Sequence, residues 1–149
     1  MEPQRRLGAA RLADDLPSPA VLNIATVTAR GEPRVSAVDG HFLRGRWYFS
    51  TTPESPKARQ LAARPAISAA YTPRDGYGVF CHGTAVLLAG AEEESMLEHL
   101  AATYGTDPED WRGVACYRIE PDWMTAFAMT DDESAEIEAH RADLAEGQH

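Results

Sequence analysis

The sequence predicts a small antiparallel β-barrel with α additions, mainly β overall, and three observations carry that expectation. Six or seven short runs are rich in β-branched and aromatic residues, short turns containing Gly or Pro join them, and helices do not alternate regularly with strands. The last point argues against a doubly wound parallel sheet, and no Gly-x-Gly-x-x-Gly fingerprint is present. With 149 residues, 44% of them hydrophobic and 25% charged, the chain reads as a single domain over 1–149 that can bury its own core.

Taken in order, residues 1–16 place Arg5, Arg6, Leu7, Arg11 and Leu12 among alanines, a pattern for a short helix that Pro17-Ser18-Pro19 stops. Val21 to Thr28 is apolar and β-branched, Ala29 to Glu32 supplies a turn, and Arg34 to Asp39 resumes, so the two runs predict a hairpin. Phe42-Leu43 and Trp47 to Ser50 flank Arg44-Gly45-Arg46, which reads as another tight connection. A helix of about Lys57 to Ala63 follows, then a strand from Ala66 to Tyr71, a loop from Thr72 to Gly78, and a long strand from Val79 to Leu88 that includes Gly83, a position for a bulge or a close backbone approach. Met96, Leu97, Leu100, Ala101 and Tyr104 recur at helical spacing after the acidic turn Glu92-Glu93-Glu94, and Gly105 ends that helix. Asp107 to Arg112 is a loop or helical turn, Val114 to Met129 a last long strand bent at Pro121, and residues 131–147 an acidic helix or tail.

Charge and cysteine usage narrow the classes of function. The net charge is −9, yet residues 1–75 carry eleven Lys/Arg against seven Asp/Glu, while residues 76–149 carry three against sixteen. An acidic whole argues against nucleic acid or an anionic membrane as partner, but leaves room for one anionic small molecule on the basic half. No long apolar run or cationic leader is present, and Cys81 and Cys116 are two widely spaced cysteines. The expectation is a cytoplasmic protein with reduced, buried thiols and no metal site. Cys81-His82 would point to opposite faces of one strand, so they do not form a ligand pair.

The stretch Tyr48 to Arg64 is the candidate site. An apolar strand end leads through the hydroxyl-rich Ser50 to Pro56 into a helix, and helix N-termini present unbonded N–H groups with partial positive charge. Ser50, Thr51, Thr52 and Ser55, with the ammonium of Lys57, form a candidate phosphate cradle. Lys57 is the only lysine in a chain that otherwise uses arginine, and a compact point charge suits a phosphate. The same residues also make an ordinary helix cap, with Ser55 capping and Pro56 in the first turn.

Ile24-Ala25-Thr26-Val27, Gly31 to Ser36, Tyr48 to Thr52, Ser55-Pro56-Lys57-Ala58-Arg59-Gln60-Leu61, Pro65 to Ser68 and Gly83-Thr84-Ala85 together resemble the pyridoxamine 5'-phosphate oxidase-like split-barrel family. The resemblance covers roughly residues 20–90 in matching order. It implies a split β-barrel, a homodimer with cofactor sites at the subunit interface, and FMN as cofactor, or the deazaflavin coenzyme F-420 in some branches. It places Arg34, Val35, Ser36 and Ala37 along the flavin ring and ribityl chain, Ser50, Thr51 and Thr52 at the next strand end, and Ser55 and Lys57 at the phosphate turn, with Arg34 or Arg59 as further cations. Pro56 stands where the oxidase proper commonly has Arg, and no C-terminal Arg-containing segment matches the one that holds the vitamin phosphate, so pyridoxamine phosphate itself is not the expected substrate.

The implied activity is an FMN-dependent oxidoreductase with an unidentified small-molecule substrate. The alternatives are a reductase using coenzyme F-420 and a non-catalytic flavin or haem carrier. Because a flavin performs the redox chemistry, no side-chain catalyst is required and none is assigned. Trp47, Trp111 and Trp123 are expected in the core or at a dimer contact, with Trp123 also a candidate to stack near the partner subunit's cofactor.

Overall fold

The computed structural model describes residues 18–129 and 134–140. The helix expected over residues 1–16 lies outside them. Seven strands appear in the order β1 (Ala20–Val27), β2 (Pro33–Leu43), β3 (Arg46–Thr51), β4 (Ala66–Arg74), β5 (Tyr77–Leu87), β6 (Ala115–Met129) and β7 (Ser134–His140). Helix α1 (Pro56–Ala63) separates β3 from β4, and α2 (Gly90–Tyr104) with a 3-10 turn (Pro108–Trp111) separates β5 from β6.

Every pairing is antiparallel. The strands run β3-β2-β1-β4-β5-β6, and a β3–β6 ladder closes them into a six-stranded barrel to which β7 is added on β6. Strand β6 does this because it is long: Ala115 to Ile119 pairs with β3, and Trp123 to Met129 pairs with β7. Leu22, Ile24, Phe49, Ile67, Val79, Ile119 and Ala126 fill the barrel, and Phe49 stacks on Tyr117 with centroids 5.1 Å apart.

Tyr48 breaks the simple alternation of buried and exposed residues, since Trp47, Tyr48 and Phe49 are all buried. Its ring points outward into a second cluster with Leu88, Met96, Leu97, Leu100 and Cys116. Helix α2 covers this outer face with the stripe its sequence spacing predicts, and each such side chain contributes roughly 1.5–3 kcal/mol when fully buried. The two thiols are free and buried, which pushes Cys81 up to about 12 and Cys116 up to about 11. His82 is exposed beside buried Cys81, so the pair does point to opposite faces.

Two sequence expectations need correction. The Thr72 to Gly78 loop is mostly strand: β4 continues to Arg74, β5 begins at Tyr77, and only Asp75-Gly76 turns, with an irregularity in register between Tyr71 and Arg74. Asp-Gly is a two-residue hairpin signal, so Arg74 pairs with Tyr77 across it while Thr72 and Pro73 lie within the register shift. The helix or tail expected over 131–147 instead contains β7, whose Ser-Ala-Glu-Ile-Glu-Ala-His sequence alternates with period two and completes the edge of β6.

Candidate functional site

The geometry that matters is where β2 and β3 part. Their ladder runs from Leu43↔Arg46 to Gly40↔Phe49 and stops there. Continued, the same register would set Asp39 against Ser50 and Ala37 against Thr52, but the strands diverge. Among the described residues, Pro33 to Asp39 therefore pair with β1 on one side only. An unpaired strand edge presents N–H and C=O groups to whatever enters the gap.

At the far side of the gap, β3 leads into α1. Ser55 is extended, with φ −63° and ψ 151°, and its Oγ accepts from the Ala58 N–H at 3.2 Å. Thr51 Oγ1 and Ser55 Oγ lie 3.1 Å apart, while the Ser55 carbonyl accepts from the Arg59 N–H at 3.1 Å. Since Pro56 has no N–H, these bonds leave the Lys57 amide as the one first-turn donor of α1 without a partner among the described residues. The cradle is narrower than helix geometry alone implies, because the cap uses donors that the sequence reading counted as open.

Lys57 is half-buried, and its ammonium has no counter-ion among the described residues. Arg59 is exposed and likewise unpaired, whereas Arg34 is held by Glu32 at 2.6 Å and by the Pro33 carbonyl at 3.0 Å. Of the two further cations, Arg59 thus stays available and Arg34 is engaged elsewhere. Val35 and Ala37 are exposed, Ser36 and Ser50 half-buried, and Thr52 exposed. Helix α1 is pinned to the barrel by buried Ala58 and Leu61 and by Thr26, 2% exposed, whose hydroxyl donates to Gln60 Oε1. Helix α1, and with it the Ser55 cap, is therefore anchored to the barrel wall.

Two constellations escaped the sequence reading. Ser68, His82 and Trp123 line up across β4, β5 and β6; Ser68 Oγ lies 2.7 Å from His82 Nδ1, and the His82 and Trp123 rings stack at 4.7 Å. His41, 1% exposed, meets His99 of α2 with Nδ1 3.0 Å from Nε2, and Tyr104 Oη lies 3.5 Å from His41 Nε2. Only cross-strand register and helix docking reveal such groups, and no local spacing in the chain marks them. Among the described residues, no group of three or more His, Cys, Asp or Glu is arranged to hold a metal, and no helix is long and apolar enough to cross a membrane.

A closed antiparallel barrel whose second and third strands part beside a hydroxyl-rich helix cap defines a split-barrel protein. The chain belongs to the pyridoxamine 5'-phosphate oxidase family, whose model matches residues 9–128. No curated protein matches it. Among solved structures it is similar to a heme binding protein from Mycobacterium smegmatis, with TM-score 0.70 and 19% identity, over 98% of this chain and 62% of the other. This chain thus spans under two thirds of that protein's length. It is also similar to PhzG from Burkholderia lata 383, solved with tetrahydrophenazine-1-carboxylic acid, at TM-score 0.60 and 18% identity over 92% and 89% of the two chains. An F-420 reductase matches at TM-score 0.58 and 19% identity over 72% and 90%. At these identities the likeness is one of fold.

Proposed function

We propose that the protein is an FMN-dependent oxidoreductase that works as a cytoplasmic homodimer, with cofactor sites at the subunit interface. The observation that carries this reading is the α1 cap, where Thr51 and Ser55 meet at 3.1 Å and Lys57, half-buried two residues further on, has no counter-ion among the described residues. The donor set fits one phosphate monoester: an ammonium, the one hydroxyl proton that the Thr51–Ser55 bond leaves free, and the Lys57 amide, with exposed Arg59 in the same helix. FMN would supply the hydride and electron chemistry when bound. The chain's own part is to hold the phosphate at Lys57, Thr51 and Ser55, to offer the open backbone edge of Arg34 to Ala37 to a polar ring rim, and to exclude water.

Support for the dimer comes from the same surface. Val21 and Val35 are 59% and 73% exposed on the neighbouring strands β1 and β2, and large apolar side chains in water favour a covering partner. A sedimentation experiment showing only monomer at micromolar concentration would overturn that part.

The reading is tested by the visible spectrum of the purified protein, followed by titration with FMN and with coenzyme F-420. Reduction by a nicotinamide donor and reoxidation by an acceptor would separate an enzyme from a carrier. Lys57→Ala should weaken FMN binding by roughly ten- to a hundredfold, as expected for losing a charge-assisted phosphate contact, while riboflavin binding changes little. Equal losses for the two ligands would show that Lys57 does not touch the phosphate.

A further inference from the structure

Between the β2–β3 turn and the first turns of α2 lies a cavity of about 440 Å³, lined by Leu43, Arg44, Tyr48, Glu92, Ser95, Met96 and His99 among others. It is distinct from the cradle: Arg44 sits at the hairpin end of β3, and Thr51 and Ser55 at the opposite end. Its volume falls within the range of small-molecule pockets.

Arg44 is the unusual member. The two-residue connection Arg44-Gly45 has φ of 52° and 76°, the double positive φ of a type I′ hairpin turn, and Arg44 is the non-glycine residue recorded with positive φ among the described residues. That turn favours Asn, Asp or Gly at its first position. An arginine there costs about 1 kcal/mol or more of backbone strain. A local rule broken without a stabilising contact points to a use for the side chain, and the Arg44 guanidinium has no partner among the described residues.

Hydrogen-bond order in the neighbouring network fixes what else the cavity offers. Tyr104 donates its hydroxyl proton to Asp39 Oδ2 at 3.1 Å, so toward His41 Nε2 it can only accept. Neutral His41 therefore carries its proton on Nε2 and accepts at Nδ1, which requires His99 to donate from Nε2. His99 Nδ1 is left as a bare acceptor on a residue that lines the cavity, and the Ser95 hydroxyl there also has no partner among the described residues. Glu92 does not repel an anion strongly, because Arg118 pairs with it and the Tyr48 hydroxyl donates to it at 3.4 Å. Leu43, Met96 and the Tyr48 ring supply apolar walls.

We propose that this cavity is a second binding site, for a small amphipathic acid with a carboxylate that Arg44 holds and a hydroxyl or N–H that donates to His99 Nδ1. Such a ligand matches an unpaired cation on the turn, an acceptor on the helix and apolar surface between them. The probe is 4-hydroxybenzoate, with 4-hydroxybenzamide as its uncharged counterpart, titrated into the whole protein and followed by backbone amide shifts. The acid should perturb amides of residues 43–48 and 91–99 at millimolar concentration and bind at least about tenfold more tightly than the amide.

Arg44→Gly should weaken the acid by at least about tenfold, leave the amide within about twofold, and raise the urea midpoint because glycine accepts the positive φ without strain. Equal affinity for acid and amide, shifts confined to Thr51 to Arg59, unchanged affinity in Arg44→Gly, or no binding at millimolar acid would each overturn the proposal. FMN binding at the cradle is read separately and is expected to be unaffected by Arg44→Gly.

Discussion

Gly83→Ala should destabilise the barrel by about 3 kcal/mol or more, lowering the thermal midpoint by roughly 10 °C. Gly83 lies at the register shift between β5 and β6, where His82 faces Trp123 and Gly83 faces Pro121. A Cβ built there would stand 2.0 Å from the Glu120 carbonyl oxygen and 2.9 Å from Pro121 Cα. Those are backbone atoms within the longest ladder of the barrel, so no rotamer change relieves the clash. Gly90→Ala is the control: nothing lies within 4 Å of its Cβ position, but its φ is 63°, so the cost is backbone strain alone, about 1 kcal/mol. Circular-dichroism melts of both variants check this, and a Gly83→Ala midpoint no lower than that of Gly90→Ala would contradict the close approach.

Acidification from pH 6.5 to 4 should cost about 3 kcal/mol of stability through His41 alone. Burial and the neighbouring His99 hold His41 down, to about 4 from the ordinary 6.5, with Asp39 opposing the shift; burial also lowers His99. Tyr104 is pushed up to about 12 and stays neutral throughout this window. Below pH 6.5 the unfolded chain takes up a proton on His41 that the folded chain refuses until about 4. Unfolding is therefore favoured as pH falls, and the stabilisation is fully present only above the unfolded value. His41→Gln removes the titrating group at this position. Urea midpoints measured between pH 5 and 8 should fall less steeply in the variant than in the parent, and parallel slopes would show that His41 does not titrate as described. The consequence is structural, because the His41–His99 contact ties β2 to α2 beside the proposed acid site.

How much of the site was legible depends on how local each feature is. The Ser55 cap, Pro56 and Lys57 form a contiguous signal, and the structure shows its local part, with Ser55 capping α1, Pro56 in the first turn and Thr51 against Ser55. What could not be read was how many donors remain after the helix caps itself, since that follows from individual bonds at Ser55 rather than from residue types. Arg34 shows the same limit. Its charge was visible, but its engagement by Glu32 two residues away depends on rotamers and strand exit geometry.

Residue patterning by itself determined the strands of the barrel, the helix of Met96, Leu97 and Leu100, and the cap ahead of Lys57. Periodicity and turn chemistry act over a few residues, where the chain has few conformations to choose among. The tertiary structure alone decided that β2 and β3 part after Gly40, that Tyr48 is buried from outside by α2, and that His41 meets His99 across 58 positions of sequence. Those outcomes come from closing six strands onto one core, a global packing condition that no short stretch of residues encodes.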